Sequence, residues 1–154
     1  MNRRNFFAAV TASAAAIAMP ARGKTAFEIT RTKAEWKAML SDMEYYVMRE
    51  EGTERAFSSP LDKQYAEGEY HCRGCDLHIY RSAAKYDSRT GWPSFYESVD
   101  SAIGTKTDFK LVYPRTECHC RRCGSHLGHI FNDGPKPTGK RHCLNGVSLV
   151  FKPA

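Results

Sequence analysis

Two cysteine pairs of identical spacing constrain this chain more than any other feature: Cys72-Arg73-Gly74-Cys75 and Cys120-Arg121-Arg122-Cys123. Each pair is followed by a residue suited to a tight turn, Asp76 in one case and Gly124 in the other. Such a turn points two sulfurs at one spot, and two turns supply the four thiolates of a closed tetrahedral zinc site. A site with no open coordination position is structural. Four thiolates around a divalent cation leave about two negative charges, and Arg73, Arg121 and Arg122 within the knuckles are expected to offset them. Two disulfides, or a redox-active C-x-x-C pair, are the alternatives this spacing leaves open. The gap between the pairs exceeds that of a compact zinc ribbon, so one Zn2+ is expected to staple distant parts of a small fold.

The chain has 154 residues, enough for one domain with a real core and too few for two ordinary ones. With 42% hydrophobic and 26% charged residues it has the composition of a folded protein. Its formal charge is +6, and two of those charges, Arg3 and Arg4, lie in an acid-free N-terminus, which leaves +4 for the remainder. That is weak ground for a polyanion partner, and no nucleic acid is expected.

Residues 1–21 have the layout of a cleavable export signal: Arg3-Arg4-Asn5-Phe6-Phe7, an apolar run from Ala8 to Ala18, then Met19-Pro20-Ala21. The adjacent arginines resemble a bacterial twin-arginine signal, which predicts a periplasmic protein; an ordinary secretion signal is the alternative. The apolar run falls short of the roughly 20 residues needed to span a bilayer, so no stable membrane anchor is expected. Residues 22–31 read as a tether and 32–154 as the folded domain.

Within that domain helices come first. Thr32 with Glu35, and Ser41 with Glu44, have the spacing of capping boxes, and Trp36, Met39, Leu40 and Met43 recur at helical intervals. Beyond Gly52 the pattern turns to short β segments: 69–73, 77–80, 109–113, 116–120 and 147–151. Val147, Leu149 and Phe151 share one face of the last, which predicts a final strand packed into the core.

Cys118 and Cys143 are left over. Cys143 lies in Arg141-His142-Cys143-Leu144-Asn145, where a cation and an imidazole flank the sulfur. Nearby positive charge favours the thiolate that a nucleophilic cysteine requires. Upstream, His126-Leu127-Gly128-His129-Ile130-Phe131 brings two histidines that can donate protons or hydrogen bonds, with a metal pair or plain structural histidines as the alternatives. In Gly91-Trp92-Pro93-Ser94-Phe95 a large flat ring sits between a glycine and a proline, suited to walling a small apolar pocket.

These three stretches, with the run through Asn132-Asp133-Gly134-Pro135-Lys136-Pro137-Thr138-Gly139 and both knuckles, closely resemble the B type of peptide-methionine sulfoxide reductase, specific for the R epimer. The resemblance spans about 32–151. It implies a mainly β (α+β) fold of two small antiparallel sheets with peripheral N-terminal helices, stapled by zinc. It also implies repair of oxidised proteins or peptides by a monomer that takes electrons from a thioredoxin-like dithiol. Cys143 matches the family's nucleophile, and Trp92 the ring that receives the substrate methyl, with Phe131 adding to that wall. His126, His129 and Asn145 match the groups around the sulfoxide oxygen, and Arg141 the cation near the thiolate.

The chemistry accounts for these residue types. A sulfoxide oxygen leaves only when protonated or strongly hydrogen-bonded, so an acid belongs beside the attacking thiolate. Attack leaves a sulfenic acid that a second thiol resolves. Many family members carry a resolving cysteine directly before Gly-Trp-Pro-Ser-Phe, and here that position is Thr90. Cys118 is the remaining candidate for that role, and buried filler is its alternative. A zinc-ribbon-like binding module and a thiol–disulfide oxidoreductase acting through a C-x-x-C pair are the competing readings of the whole.

Overall fold

The computed structural model describes residues 26–154. The expected export signal over 1–21, and the first part of the 22–31 segment, lie outside the described residues. Along its described part, that segment runs against the domain: the Ile29 amide donates to the Arg122 carbonyl at 2.9 Å, and Glu28 pairs with Arg121 and Arg122.

Helix α1 (Lys33–Met39) and helix α2 (Asp42–Glu50) open the domain, and both predicted capping boxes are complete. The Thr32 and Ser41 hydroxyls accept the Glu35 and Glu44 amides, and each glutamate accepts its cap's amide in return. This satisfies helix-end donors that have no partner inside the helix. Trp36, Leu40, Val47 and Met48 are the buried apolar residues of this pair. Among the described residues no helix is long and apolar enough to cross a membrane.

The remainder is β, as expected, in two antiparallel sheets. The smaller has the order β2-β1-β9, with β1 (Gly68–Cys72), β2 (His78–Arg81) and β9 (Leu149–Pro153). The larger has the order β3-β4-β8-β7-β6-β5. Its strands are β3 (Lys85–Tyr86), β4 (Ser94–Phe95), β5 (Ile103–Asp108), β6 (Arg115–Cys120), β7 (His126–Phe131) and β8 (Arg141–Leu144). The two sheets close on an aromatic core in which Tyr70 contacts Phe95 edge-on and also Phe151, the last apolar residue of the predicted C-terminal strand.

One predicted strand is misplaced. Residues 109–113 form the bend between β5 and β6, with Phe109 and Val112 largely exposed. The strand is the polar segment before it, Ile103–Asp108, which lies at the edge of the sheet where most of its side chains meet water. Its alternation carries no hydrophobic signal, whereas the Phe-Lys-Leu-Val-Tyr run that does carry one ends at Pro114.

Candidate active site and metal centre

The two knuckles are built alike. Asp76 and Gly124 both take left-handed backbone, with φ of 57° and 68°. Their amides donate to the Cys72 and Cys120 carbonyls at 2.8 Å. The Cys72 amide donates to Leu77 at 2.8 Å, and the Cys120 amide to Ser125 at 2.9 Å. Short polar or glycine residues adopt this conformation at least cost. The two turns bring Cys72, Cys75, Cys120 and Cys123 together, all four sulfurs lying within 4.8 Å of one another.

The sulfur separations test what this cluster can hold. Cys72 and Cys123 lie 3.7 Å apart, and Cys75 and Cys120 lie 3.5 Å apart. A disulfide is about 2 Å long, whereas four sulfurs at about 2.3 Å from a tetrahedral centre stand about 3.8 Å apart. The geometry is that of a four-thiolate metal site. The arginines expected to offset its charge do other work: Arg73 donates to the carbonyls of Val147 and Leu149, and Arg121 pairs with Glu28. Arg122 bonds the Cys75 carbonyl at 3.3 Å and so braces a ligand's backbone.

Cys143 sits mid-sheet on β8, opposite Ser94 of β4 on one side and His129 of β7 on the other. It lines a pocket of about 120 Å³ together with Trp92, His129, Phe131, Asn145, Arg115 and Thr53. Gly128 lets the strands meet there: a Cβ on it would lie 2.1 Å from the Cys143 carbonyl oxygen. The predicted pocket residues Trp92, Phe131, His129 and Asn145 are therefore brought together around the sulfur. His126 is one step behind, fully buried, its ring 5.4 Å from that of His129.

Each pocket group is held from outside the pocket. Glu54 fixes two of them through its backbone: its carbonyl accepts the Trp92 indole N–H at 3.1 Å, and its amide donates to Asn145 Oδ1 at 2.9 Å. Its own carboxylate accepts the amides of Gly146 and Val147 at 2.5 and 3.0 Å. Asn145 Nδ2 donates one of its two hydrogens to the Leu127 carbonyl at 3.1 Å.

The histidines are anchored by buried carboxylates. Asp108 accepts from His129 Nε2 at 2.8 Å and from Arg115 at 2.6 Å. The Lys110 amide on its carboxylate, aided by those two groups, holds Asp108 well below the usual carboxylate range. Burial holds the His129 imidazole below its ordinary pKa. His126 Nδ1 lies 2.7 Å from Glu117 Oε1, and its buried Nε2 has no partner among the described residues. Burial pushes the Glu117 carboxyl up, but hydrogen bonds from His119 and His126 outweigh this and hold it down at about 2.

The surroundings of Cys143 differ from the expectation in two respects. Arg141 makes a two-bond pair with Asp133, at 2.9 and 2.8 Å, and stacks 4.4 Å over the Phe131 ring. It still favours the thiolate, but burial dominates and pushes the thiol above its ordinary pKa. His142 is no proton carrier for the sulfur. Alternation along β8 turns it to the other face, where Nδ1 meets the Tyr80 hydroxyl at 2.9 Å. Burial there lowers its pKa to about 4.

A cluster of hydroxyls was not foreseen. Thr90 Oγ1 lies 3.8 Å from Cys143 Sγ and 2.8 Å from Ser88 Oγ, and Ser88 Oγ lies 2.7 Å from Ser94 Oγ. Thr90 thus occupies the position expected for a resolving cysteine, beside the Cys143 sulfur, and cannot form a disulfide. Cys118, the other candidate resolver, is 0% exposed in the core, and Gly128 of β7 separates it from Leu144 of β8. Two strand spacings amount to about 9.5 Å, beyond the roughly 7 Å that a disulfide tolerates between Cα atoms. Burial pushes its thiol far up as well, so Cys118 is placed as core filler.

Asp108, Arg115, Glu117 and Glu54 were missed as site residues by sequence reasoning. Their partners lie in other strands or loops, and no local motif marks them; buried acids within a strand pattern are the one signal available.

Comparison with known proteins agrees with this geometry. Residues 40–153 match the SelR domain. The chain is 50% identical over 124 residues to the peptide methionine sulfoxide reductase MsrB of Thiobacillus denitrificans, covering 80% of this chain and 94% of that protein. It is 46% identical to the MsrB of Methanosarcina barkeri, covering 80% of this chain and 88% of that protein. With the MsrB of Pseudomonas entomophila it shares 47% identity, over 82% of this chain and 97% of that protein. The chain belongs to the SelR domain family, that of the peptide methionine sulfoxide reductases MsrB.

Proposed function

We propose that this protein reduces methionine-R-sulfoxide in oxidised proteins and peptides, with Cys143 as the nucleophile. The observation that carries this reading is one half-buried thiol in a small pocket, with aromatic rings on one side and carboxylate-anchored histidines on the other. Trp92, its ring fixed by Glu54, and Phe131, capped by Arg141, receive the substrate methyl group. His129, His126 and Asn145 serve the sulfoxide oxygen.

Cys143 sulfur attacks the sulfoxide sulfur while the histidine side delivers a proton to the oxygen. The oxygen passes to Cys143 as a sulfenic acid and methionine leaves. Burial raises the thiol pKa, and Thr90 and Arg141 favour the thiolate as it forms. With Thr90 at the resolving position and Cys118 out of reach, an external dithiol of thioredoxin-like chemistry reduces the sulfenic acid directly. One of its thiols displaces water and its second thiol frees Cys143.

Zinc fits the four-cysteine cluster, since the donor set is all thiolate, the cluster is largely buried and the sulfur spacing is tetrahedral. When bound, it would supply structural cross-linking between the two knuckles. The twin-arginine-like start supports export to a bacterial periplasm, and replacing Arg3 and Arg4 by lysines should abolish that export in fractionated cells.

The test is an assay with both sulfoxide epimers. We expect reduction of the R epimer alone, lost in Cys143→Ser with metal content unchanged. Turnover of the S epimer, or full activity in Cys143→Ser, would overturn the proposal.

A further inference from the structure

On the outer face of the β1–β2 hairpin, away from the pocket, Glu69, His71 and His78 form a second cluster of ligand-type side chains. Their candidate ligand atoms lie within 4.8 Å of one another. His71 and His78 are direct cross-strand partners, with rings stacked 5.2 Å apart and 11° from parallel. Glu69, two residues before His71, shares that face. Neither the catalytic chemistry nor the four-cysteine cluster uses these residues.

The hydrogen bonds of the two rings follow one plan. His71 Nδ1 lies 2.9 Å from the Asp76 carbonyl oxygen, and His78 Nε2 lies 3.1 Å from the Tyr80 carbonyl oxygen. A carbonyl only accepts, so each of these nitrogens carries the proton. In a neutral imidazole the other nitrogen then bears a lone pair. Those two nitrogens, His71 Nε2 and His78 Nδ1, lie 2.9 and 3.6 Å from the two oxygens of the same Glu69 carboxylate. A cation between them joins the groups: a proton on His71 Nε2, at hydrogen-bond distance from Glu69 Oε2, serves that pair alone, whereas a metal ion would engage His78 Nδ1 as well. A ring fixed through one N–H to a backbone carbonyl, with its other nitrogen turned to a shared point, is the outer-shell arrangement of metal-binding histidine.

We propose that Glu69, His71 and His78 form a solvent-facing site for a divalent first-row transition-metal ion, distinct from the four-cysteine cluster. Two imidazoles and a carboxylate suit zinc, nickel or copper(II) rather than calcium or magnesium. Tetrahedral coordination at about 2.05 Å requires ligand atoms about 3.3 Å apart. The Glu69 side chain, 51% exposed, and that of His78, 23% exposed, have room to close that gap around His71, at 12%. Arg81 and Lys152 face Glu69 from the flanking strands, and Lys152 is already paired with Asp76 at 2.6 Å. Because this hairpin also carries Cys72 and Cys75, a bound ion would tie β2 to β1 beside the first knuckle.

The test is a Ni2+ titration of the zinc-loaded full-length protein, followed by calorimetry and by paramagnetic broadening of amide resonances. One equivalent should bind, broadening should centre on β1 and β2, and His78→Gln and His71→Gln should each weaken binding about a hundredfold or more. Glu69→Gln should weaken it less, and the four-cysteine zinc should stay in place throughout. No binding, binding unchanged in His78→Gln, or broadening centred on His119, His126, His129 or His142 would overturn the proposal.

Discussion

The four-cysteine cluster and the Cys143 pocket use the same atom in opposite ways. At the cluster, four sulfurs are gathered by two copies of one local turn, each closed by its own backbone hydrogen bonds. Four sulfurs this close, three of them buried, cannot all ionise without a cation among them. At the pocket a single sulfur is surrounded by groups from several strands and loops, and burial pushes its thiol above the ordinary pKa. The contrast teaches that sulfur chemistry follows surroundings. Thiolates matched to a cation are inert, and a lone thiol beside proton donors is reactive.

The largest effect should come from the cluster. Structural zinc contributes about 10–16 kcal/mol of apparent binding free energy in small domains. Cys120→Ser should therefore lose the metal and the cooperative thermal transition together, whereas Cys143→Ser should keep both, as read by circular dichroism and elemental analysis. A well-folded, metal-free Cys120→Ser would break the comparison from the structural side.

The pocket should be sensitive in rate and not in folding. The proton delivery proposed for the histidine side is worth about 10²–10⁴-fold, and His129→Asn, which also leaves the buried Asp108 without one of its partners, should lower kcat by up to that order with the four-cysteine metal retained. Asp108→Asn, which leaves the ring in place without its anchor, should cost about 10–100-fold, by analogy with outer-shell partners of metal-bound histidine. Gly128→Ala crosses the boundary between the two regions. Its Cβ would meet the Cys143 carbonyl oxygen at 2.1 Å, and the forced strand shift should cost about 3 kcal/mol of stability and most of the activity.

Smaller effects sharpen the electrostatics. The Thr90 hydroxyl favours the Cys143 thiolate, so Thr90→Val should raise the thiol pKa. The rise of rate with pH should then move to higher pH, and Thr90→Ser should move it back. Glu117 is held at about 2 in the folded state against an ordinary value of 4.5. Its lowered pKa contributes stability that is full above about 4.5 and lost as the pH falls through about 2. Glu117→Gln should flatten acid unfolding within that window in a urea titration at stepped pH.

Much of the cluster and part of the pocket could be read in the sequence, for different reasons. The knuckles are local, so spacing plus a turn residue was enough, and the capping boxes of α1 and α2 were legible on the same grounds. Cys143, Trp92 and Phe131 emerged from short motifs and the resemblance those motifs carry. Asp108, Glu117 and Glu54 did not, because their partners become neighbours only once strand register is set. Cross-strand pairing places Asp108 beside Arg115 and Glu117 beside His129, and the register shift past Cys118 brings His126 within reach of Glu117. Arg141 was legible as a cation near the sulfur, but its commitment to Asp133 was not, and burial reversed the expected direction of the Cys143 pKa.

The division of labour between the two regions is tested most directly by peptide mass spectrometry after one turnover with methionine-R-sulfoxide, without reductant and with a sulfenic-acid trap present. The account predicts a trapped sulfenic acid on Cys143 alone, with the four clustered cysteines and Cys118 unmodified. A disulfide joining Cys143 to Cys118, or oxidation centred on Cys72, Cys75, Cys120 or Cys123, would contradict it.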